Sequence, residues 1–221
     1  MLKNRDLFGS TPPYLRELFD TVIYPWELIS KLDLYIKHLL ECGIEGFHEY
    51  SPGVLIGESV EIPSGVTVIS PAIIGHHTEL RPGAYLRGRV ITGERCVIGN
   101  SCEVKNSIML DGVQIPHYNY VGDSILGNMS HMGAGAICSN LKNDGSSVVI
   151  RADEEYTTGM RKLGAILGDR ANVGCGCVLN PGTVIGRDSS VYPLTSVRGV
   201  IPPDSIVKSG GNTVKKEKGF L

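Results

Sequence analysis

The 221-residue chain has almost no net charge: 21 lysines and arginines stand against 23 aspartates and glutamates, leaving −2. Such a balance provides no electrostatic footprint for nucleic acid or for an anionic membrane surface, so neither partner is expected. The chain also lacks an apolar run long enough to span a bilayer. Its first residues, Met1 to Phe8, lack the apolar core of a signal peptide, so no secretory leader is expected. Aromatic residues make up only 6%, with a single tryptophan, Trp26, which reads as packing rather than chemistry. There are six cysteines, at positions 42, 96, 102, 138, 175 and 177. Three of them fall at small interior positions of the repeat described next, so packing in a reducing cytosol is expected rather than disulfides, and with it a cytoplasmic location. Closely spaced ligand pairs such as His-x-x-x-x-His are absent. His38 and His48 fall in the N-terminal helical region, His76 and His77 at a repeat corner, and only His117 and His131 near the break in the repeat described below, so no metal is expected.

Glycine and proline, in contrast, are plentiful: 28 and 12. Their spacing is regular, which argues against disorder. Every sixth residue from Ile56 is aliphatic through Ile62, Val68, Ile74, Leu80 and Leu86, and after Thr92 through Ile98, Val104 and Leu110. A second register runs Leu167, Val173, Leu179, Ile185, Val191, Val197. A period of six fits neither a helix nor a simple alternating strand; it fits a parallel β-helix of hexapeptide repeats. Four residues after each anchor the side chain is small or β-branched (Ala72, Thr78, Ala84, Cys96, Cys102, Ala171, Cys177), as a narrow interior requires. Glycine and proline sit at the corners, in Ile56-Gly57, Ile74-Gly75, Pro82-Gly83 and Ile185-Gly186, where a sharp turn calls for glycine's permissive backbone or proline's fixed one.

Residues 1–50 break this pattern. Pro12-Pro13 and Tyr24-Pro25 open two apolar stretches at helical spacing, the second carrying Ile29, Leu32, Ile36 and Leu39. Two short helices are expected, covering the open N-terminal end of the coil. Residues 51–207 form the β-helix. Within it the register slips between Leu110 and Leu126, which predicts an irregular segment around Val113–Val121. A polar excursion at 141–163 predicts a loop or short hairpin projecting from the coil. Residues 208–221, Gly-rich and then basic, read as a C-terminal arm.

A break in an otherwise consistent pattern is where a functional site is expected. His117 lies in it and is the best acid–base candidate; the alternative is a histidine that only hydrogen-bonds across a loop. Glu103 and Lys105 flank the inward Val104 and point outward together, and Arg81 follows Leu80 outward; each also reads as a solvated charge. Gly133-Ala134-Gly135 leaves backbone amides accessible, as an oxyanion hole needs, although the sequence alone favours a corner glycine pair. Alternation in Cys175-Gly176-Cys177 points only Cys177 inward.

Four segments, Arg81 to Gly88, Glu103 to Ser107, His117 to Gly127 (HYNYVGDSILG) and Gly133 to Asn140, resemble the acetyltransferase half of the bifunctional N-acetylglucosamine-1-phosphate uridyltransferase/glucosamine-1-phosphate acetyltransferase family. The archaeal and clostridial-type sugar-1-phosphate members are the nearest in pattern, sharing also the segment Arg161 to Asp169. The resemblance covers about residues 54–202. It implies a left-handed β-helix, a homotrimer, and acetyl transfer from acetyl-CoA to the amine of an amino-sugar 1-phosphate. On the matching positions it implies His117 as base supported by Glu103, and the Ala134 amide as oxyanion donor. Arg81 and Lys105 match the cations on the sugar phosphate, Tyr120, Asn140 and His131 match sugar contacts, and Cys175 with Lys162 match contacts to CoA. The chain departs from the family in having no Gly-rich nucleotide loop ahead of the repeats, His131 where bacterial members have Asn, and Cys175 where they have Ser. Uridyl transfer is therefore not expected. A non-catalytic sugar-phosphate binder partnering a nucleotidyltransferase, and an O-acyltransferase, remain the alternatives.

Overall fold

The structure, a computed structural model, describes residues 2–217. The last four residues of the expected arm lie outside the described residues. Short strands stack coil upon coil into faces of nine, eight and seven strands, parallel except at the ends. They make about nine turns of a left-handed β-helix with few helices. The six-residue anchors fill the interior: Ile56, Ile74, Leu80, Leu86, Ile98 and Val104 share one buried cluster with the small Ala72, Ala84, Cys96 and Cys102. Each large side chain so buried stabilises the fold by about 1.5–3 kcal/mol. The one polar anchor, Thr92, is fully buried, and its hydroxyl accepts the Gly75 amide at 2.9 Å. The six cysteines are free thiols, with Cys96, Cys102, Cys138 and Cys177 buried.

The expected irregular segment at Val113–Val121 is not irregular. Gln114–His117 and Tyr120–Gly122 are ordinary strands, paired in parallel with the coils on either side. The slip comes instead from two coils that are one residue short. Ala72 pairs with Val90 and Tyr85 with Glu103, a coil of 18 residues. Val90 pairs with Ser107 and Ile108 with Ile125, a coil of 17. The missing residue is lost each time at the same corner, so Met109 rather than Leu110 enters the interior; Leu110 joins the outer packing layer.

The corner glycines divide by cause: Gly83 takes the expected positive φ, 87°, but the glycines that directly follow an interior anchor do not. Gly75 and Gly99 do not have positive φ. They are glycine because the next coil passes too close for a side chain: a Cβ on Gly75 would lie 2.2 Å from the Gly93 carbonyl oxygen, and one on Gly99 would lie 1.6 Å from that of Pro116. The left-handed bend falls two residues after Gly57, Gly75, Gly93, Gly127, Gly168 and Gly186, on Ser59, His77, Arg95, Met129, Arg170 and Asp188.

The N-terminal region contains three helices, α1 (Asn4–Leu7), α2 (Arg16–Asp20, entered through a 3₁₀ turn at Pro13–Leu15) and α3 (Pro25–Cys42). Pro25 occupies the first turn of α3, the Glu27 carboxylate accepts the amides of Ile23 and Tyr24, and Gly43 at φ 75° ends it. These helices do not cover the open end of the coil. They lie along the side of the nine-stranded face, on a ladder of outward aliphatic side chains at Leu55, Ile73, Ile91, Ile108, Ile125, Ile166 and Val184. The segment before α2 is fastened to later coils, where the Gly9 amide donates to Asp169 at 2.7 Å and the Asn128 amide group donates to the Ser10 carbonyl. The first coil is covered instead by the antiparallel strand His48–Ser51.

The excursion at 141–163 does not project either. Its hairpin, Val149–Arg151 against Glu155–Thr157, folds back so that Val148, Ile150 and Leu163 extend the same outer layer. The Tyr156 ring packs edge-on against Tyr24 and Trp26, which makes Trp26 a packing residue. At the other end Thr213–Lys215 returns as a strand antiparallel to Ser205–Val207, so this part of the expected arm is ordered structure.

Candidate active site

The coil geometry divides the candidate residues among two faces and two corners. His117 ends its strand at the corner between the eight- and seven-stranded faces, with an exposed side chain. Ala134 and Cys175 follow on the next two coils at the same corner: the Gly135 amide donates to the His117 carbonyl, and the Gly176 amide to that of Ala134. The Ala134 N–H itself makes no hydrogen bond among the described residues. The corner is held by Asn119, which the sequence reading did not single out. This buried side chain accepts the His117 amide at 3.2 Å and donates to the carbonyls of Gly133 and Ala136. One asparagine thus ties the imidazole-bearing turn to the turn with the open amide.

The seven-stranded face carries Glu103, Lys105 and Tyr120 outward. Tyr120 pairs with Glu103, and Lys105 lies at the far edge, away from His117. Directly before Lys105 on the preceding coil is Arg87, since Leu86 pairs with Val104. Its guanidinium donates to the Glu103 carboxylate at 2.6 Å. Among the described residues no hydrogen bond joins Glu103 to His117. Arg81, in contrast, follows the strand Glu79–Leu80 of the eight-stranded face and is ion-paired to Glu79 at 2.8 Å. The pairing of Arg81 with Lys105 expected from the sequence is therefore not what the single chain brings together. The signal for Arg87 was the coil length: it stands 18 residues, one full coil, before Lys105.

At the far edge a buried polar knot surrounds Asp123. Its side chain is 5% exposed and that of Lys105 14%, and their charged atoms lie 3.3 Å apart. Asn106 donates to the same carboxylate at 2.6 Å, and Asn140 donates both to it and, at 3.2 Å, to the Tyr120 hydroxyl. Burial, then the charges of Asp123 and Glu103, push the Tyr120 phenol above its ordinary value. Asn106, Asp123 and Asn140 stand 17 residues apart, a spacing that shows only once the short coils are recognised. The knot also fastens the excursion, because the Gly164 amide donates to the Asp123 carbonyl and the Leu163 amide to that of Asn140. Lys162 is exposed at the excursion's end, bridged through its backbone to Leu141. Leu141 also lines a cavity of about 280 Å³, together with Ser139, Lys142, Asn180 and Arg198 among others. His131 points out of the eight-stranded face, 3.2 Å from Asn172 on the next coil. No cluster of metal-ligating side chains occurs among the described residues.

Comparison with known proteins gives relatives in sequence and in fold. Residues 68–159 match the model of the GMPPB C-terminal domain. The bifunctional sugar-1-phosphate nucleotidylyltransferase/acetyltransferase of Sulfurisphaera tokodaii is 38% identical over 174 residues, 76% of this chain and 43% of that protein. The bifunctional protein GlmU of Methanococcus vannielii is 30% identical over 197 residues, 88% of this chain and 48% of that protein. The similarity falls in the C-terminal region of these relatives. It spans about half the length of the curated relatives it matches. Among solved structures, the acetyltransferase domain of PglB from Neisseria gonorrhoeae aligns at a TM-score of 0.39 with 16% identity, over 80% of this chain and 62% of that one. A mutant of the N-acyltransferase AntD from Bacillus cereus aligns at 0.42 with 14% identity, over 79% and 92%. The four segments that carry the family resemblance map to the His117 corner, the knot and the face between them.

Proposed function

We propose that the chain is a CoA-dependent N-acetyltransferase acting on an amino-sugar 1-phosphate. The observation that carries this reading is the His117 corner, where an accessible imidazole sits one coil from an unengaged backbone amide, beside a face whose far edge holds fixed cations. The substrate amine attacks the thioester carbonyl of acetyl-CoA while His117 takes its proton. The carbonyl oxygen gains charge and is met by the Ala134 N–H. The tetrahedral intermediate collapses with loss of the CoA thiolate. Lys105 and Arg87 hold the sugar phosphate, and two fixed cations suit a dianion far better than a neutral hydroxyl. Glu103 then acts by orienting Arg87. Tyr120, Asn140 and His131 remain sugar contacts in this reading, with Cys175 and Lys162 on the CoA side.

The names of the relatives support the reaction class, since they describe a sugar-1-phosphate nucleotidylyltransferase/acetyltransferase and GlmU. A homotrimer is part of the proposal. Ile137 and Val178 are exposed on the seven-stranded face, and Leu194, 84% exposed, and Tyr118 stand at its corner; apolar groups so placed suit cover by a second copy. Release of free thiol from acetyl-CoA, measured over a panel of amino-sugar 1-phosphates, tests the activity. His117→Ala is expected to cut turnover roughly 10²–10⁴-fold with CoA affinity nearly unchanged. A variant keeping more than about a third of the rate removes His117 as the base.

A further inference from the structure

A second concave site lies outside everything described above, where the helical layer meets a corner of the coil. Its cavity, about 480 Å³, falls in the size range of small-molecule pockets. Its walls are aromatic. Phe47 packs against Tyr14 with ring centres 5.2 Å apart and against His76 at 4.6 Å, and Tyr35 closes the helix side. These rings are held in place. The Tyr14 hydroxyl donates to the Thr92 carbonyl at 2.7 Å, the Tyr35 hydroxyl to the Tyr14 carbonyl at 2.8 Å, and His76 Nδ1 accepts the Glu58 amide at 2.8 Å.

Every charged group lining the cavity is a carboxylate: Glu17, Glu45 and Glu94. Glu94 is already paired with Arg95 at 3.3 Å. Neither Glu17 nor Glu45 has a cationic partner among the described residues. The Glu17 charge lies close enough to the Tyr35 ring to help burial raise that phenol. Aromatic faces attract cations through their quadrupole. Two unpaired carboxylates beside fixed rings therefore select a ligand with two positive charges on an apolar chain.

The geometry points to a binding site for an organic diammonium or polyammonium ion in this cavity. The methylene chain lies on the rings of Phe47 and Tyr14, and the ammonium ends meet Glu17 and Glu45. Nothing in this assignment depends on the transferase reading, so the test is binding alone. Calorimetric titration of the full chain with spermidine is expected to saturate at one ion per chain with a dissociation constant of about 1 mM or below. Sodium chloride at matched ionic strength gives no saturable heat. Tetramethylammonium, with one charge, binds more weakly. Glu17→Gln and Glu45→Gln each weaken spermidine about two- to fivefold, the size of one exposed ion pair. Phe47→Leu weakens it about threefold through the lost cation–π contact. Asp153→Asn, in the distant hairpin, changes nothing, and unchanged far-ultraviolet spectra show that the variants fold. No saturable heat with spermidine, or equal binding by both glutamine variants and the wild type, overturns the assignment.

Discussion

Replacing Asp123 with asparagine preserves shape and removes one charge, and the structure gives the size of the effect. The carboxylate accepts from three donors, Lys105, Asn106 and Asn140, and neither it nor Lys105 is well hydrated. In the variant, one of the two oxygens becomes an NH₂ group that must face a donor. Lys105 also keeps its charge without a counter-ion. Breaking a buried pair on one side costs about 3–5 kcal/mol, and the residual exposure of Lys105 reduces this to about 2–4 kcal/mol. The loss is local first, because the same residue fastens both ends of the excursion at 140 and 164. Hydrogen exchange followed by mass spectrometry is therefore expected to show faster opening of 139–164, while strands on the far coils such as Ala72–Ile74 keep their protection. Lys105→Met in the Asp123→Asn background removes the orphan cation and should return about 1 kcal/mol or more, so the two substitutions are non-additive. An Asp123→Asn variant within about 0.5 kcal/mol of the wild type, or strict additivity with Lys105→Met, refutes the reasoning.

Gly99→Ala places a methyl group against the Pro116 carbonyl and is expected to cost about 3 kcal/mol or more, read as a lower urea midpoint or as insoluble expression. Burial pushes the Cys96 and Cys138 thiols up to about 12, so a thiol reagent near neutral pH should titrate the exposed Cys42 and Cys175 in the native protein and all six cysteines only after unfolding. The Asp188 carboxyl is held below its ordinary value first by its hydrogen bond from Arg170, at 2.6 and 2.7 Å. A depressed folded pKa stabilises above the unfolded value and is lost as pH falls through the lower folded one. Arg170→Gln should therefore cost under about 1 kcal/mol near neutral pH, given this exposed pair, and flatten the acid limb of a urea-midpoint profile below about pH 4.

The interior was legible because a six-residue period leaves little freedom in which side chains point inward. What escaped was phase. Ile108, Met109 and Leu110 are all apolar, so counting by six from Val104 lands on Leu110 without complaint, although the shortened corner turns Met109 inward. That one-residue error placed an irregular segment where two regular strands lie, and it hid the stacking of Asn106, Asp123 and Asn140. The position of the helices was written in a second pattern, a large aliphatic between the two inward residues of every third strand, from Leu55 to Val184. An outward Ile or Leu repeated on one face needs a cover, and the helices and the hairpin at 149–157 supply it. His117, Ala134 and the outward Glu103 and Lys105 followed from motif and alternation. Arg87 did not, because choosing between it and Arg81 requires knowing which coil lies beneath Lys105.

The bends carried by Ser59, His77, Arg95, Met129, Arg170 and Asp188 have a consequence for thermal tolerance. Each holds an L-residue where glycine would be more comfortable, at a cost of about 1 kcal/mol apiece. Along a solenoid such costs add nearly coil by coil, because each coil contacts only its neighbours. The chain therefore runs below the stability its backbone could reach, and the exposed members of that row are where glycine would raise its thermal tolerance.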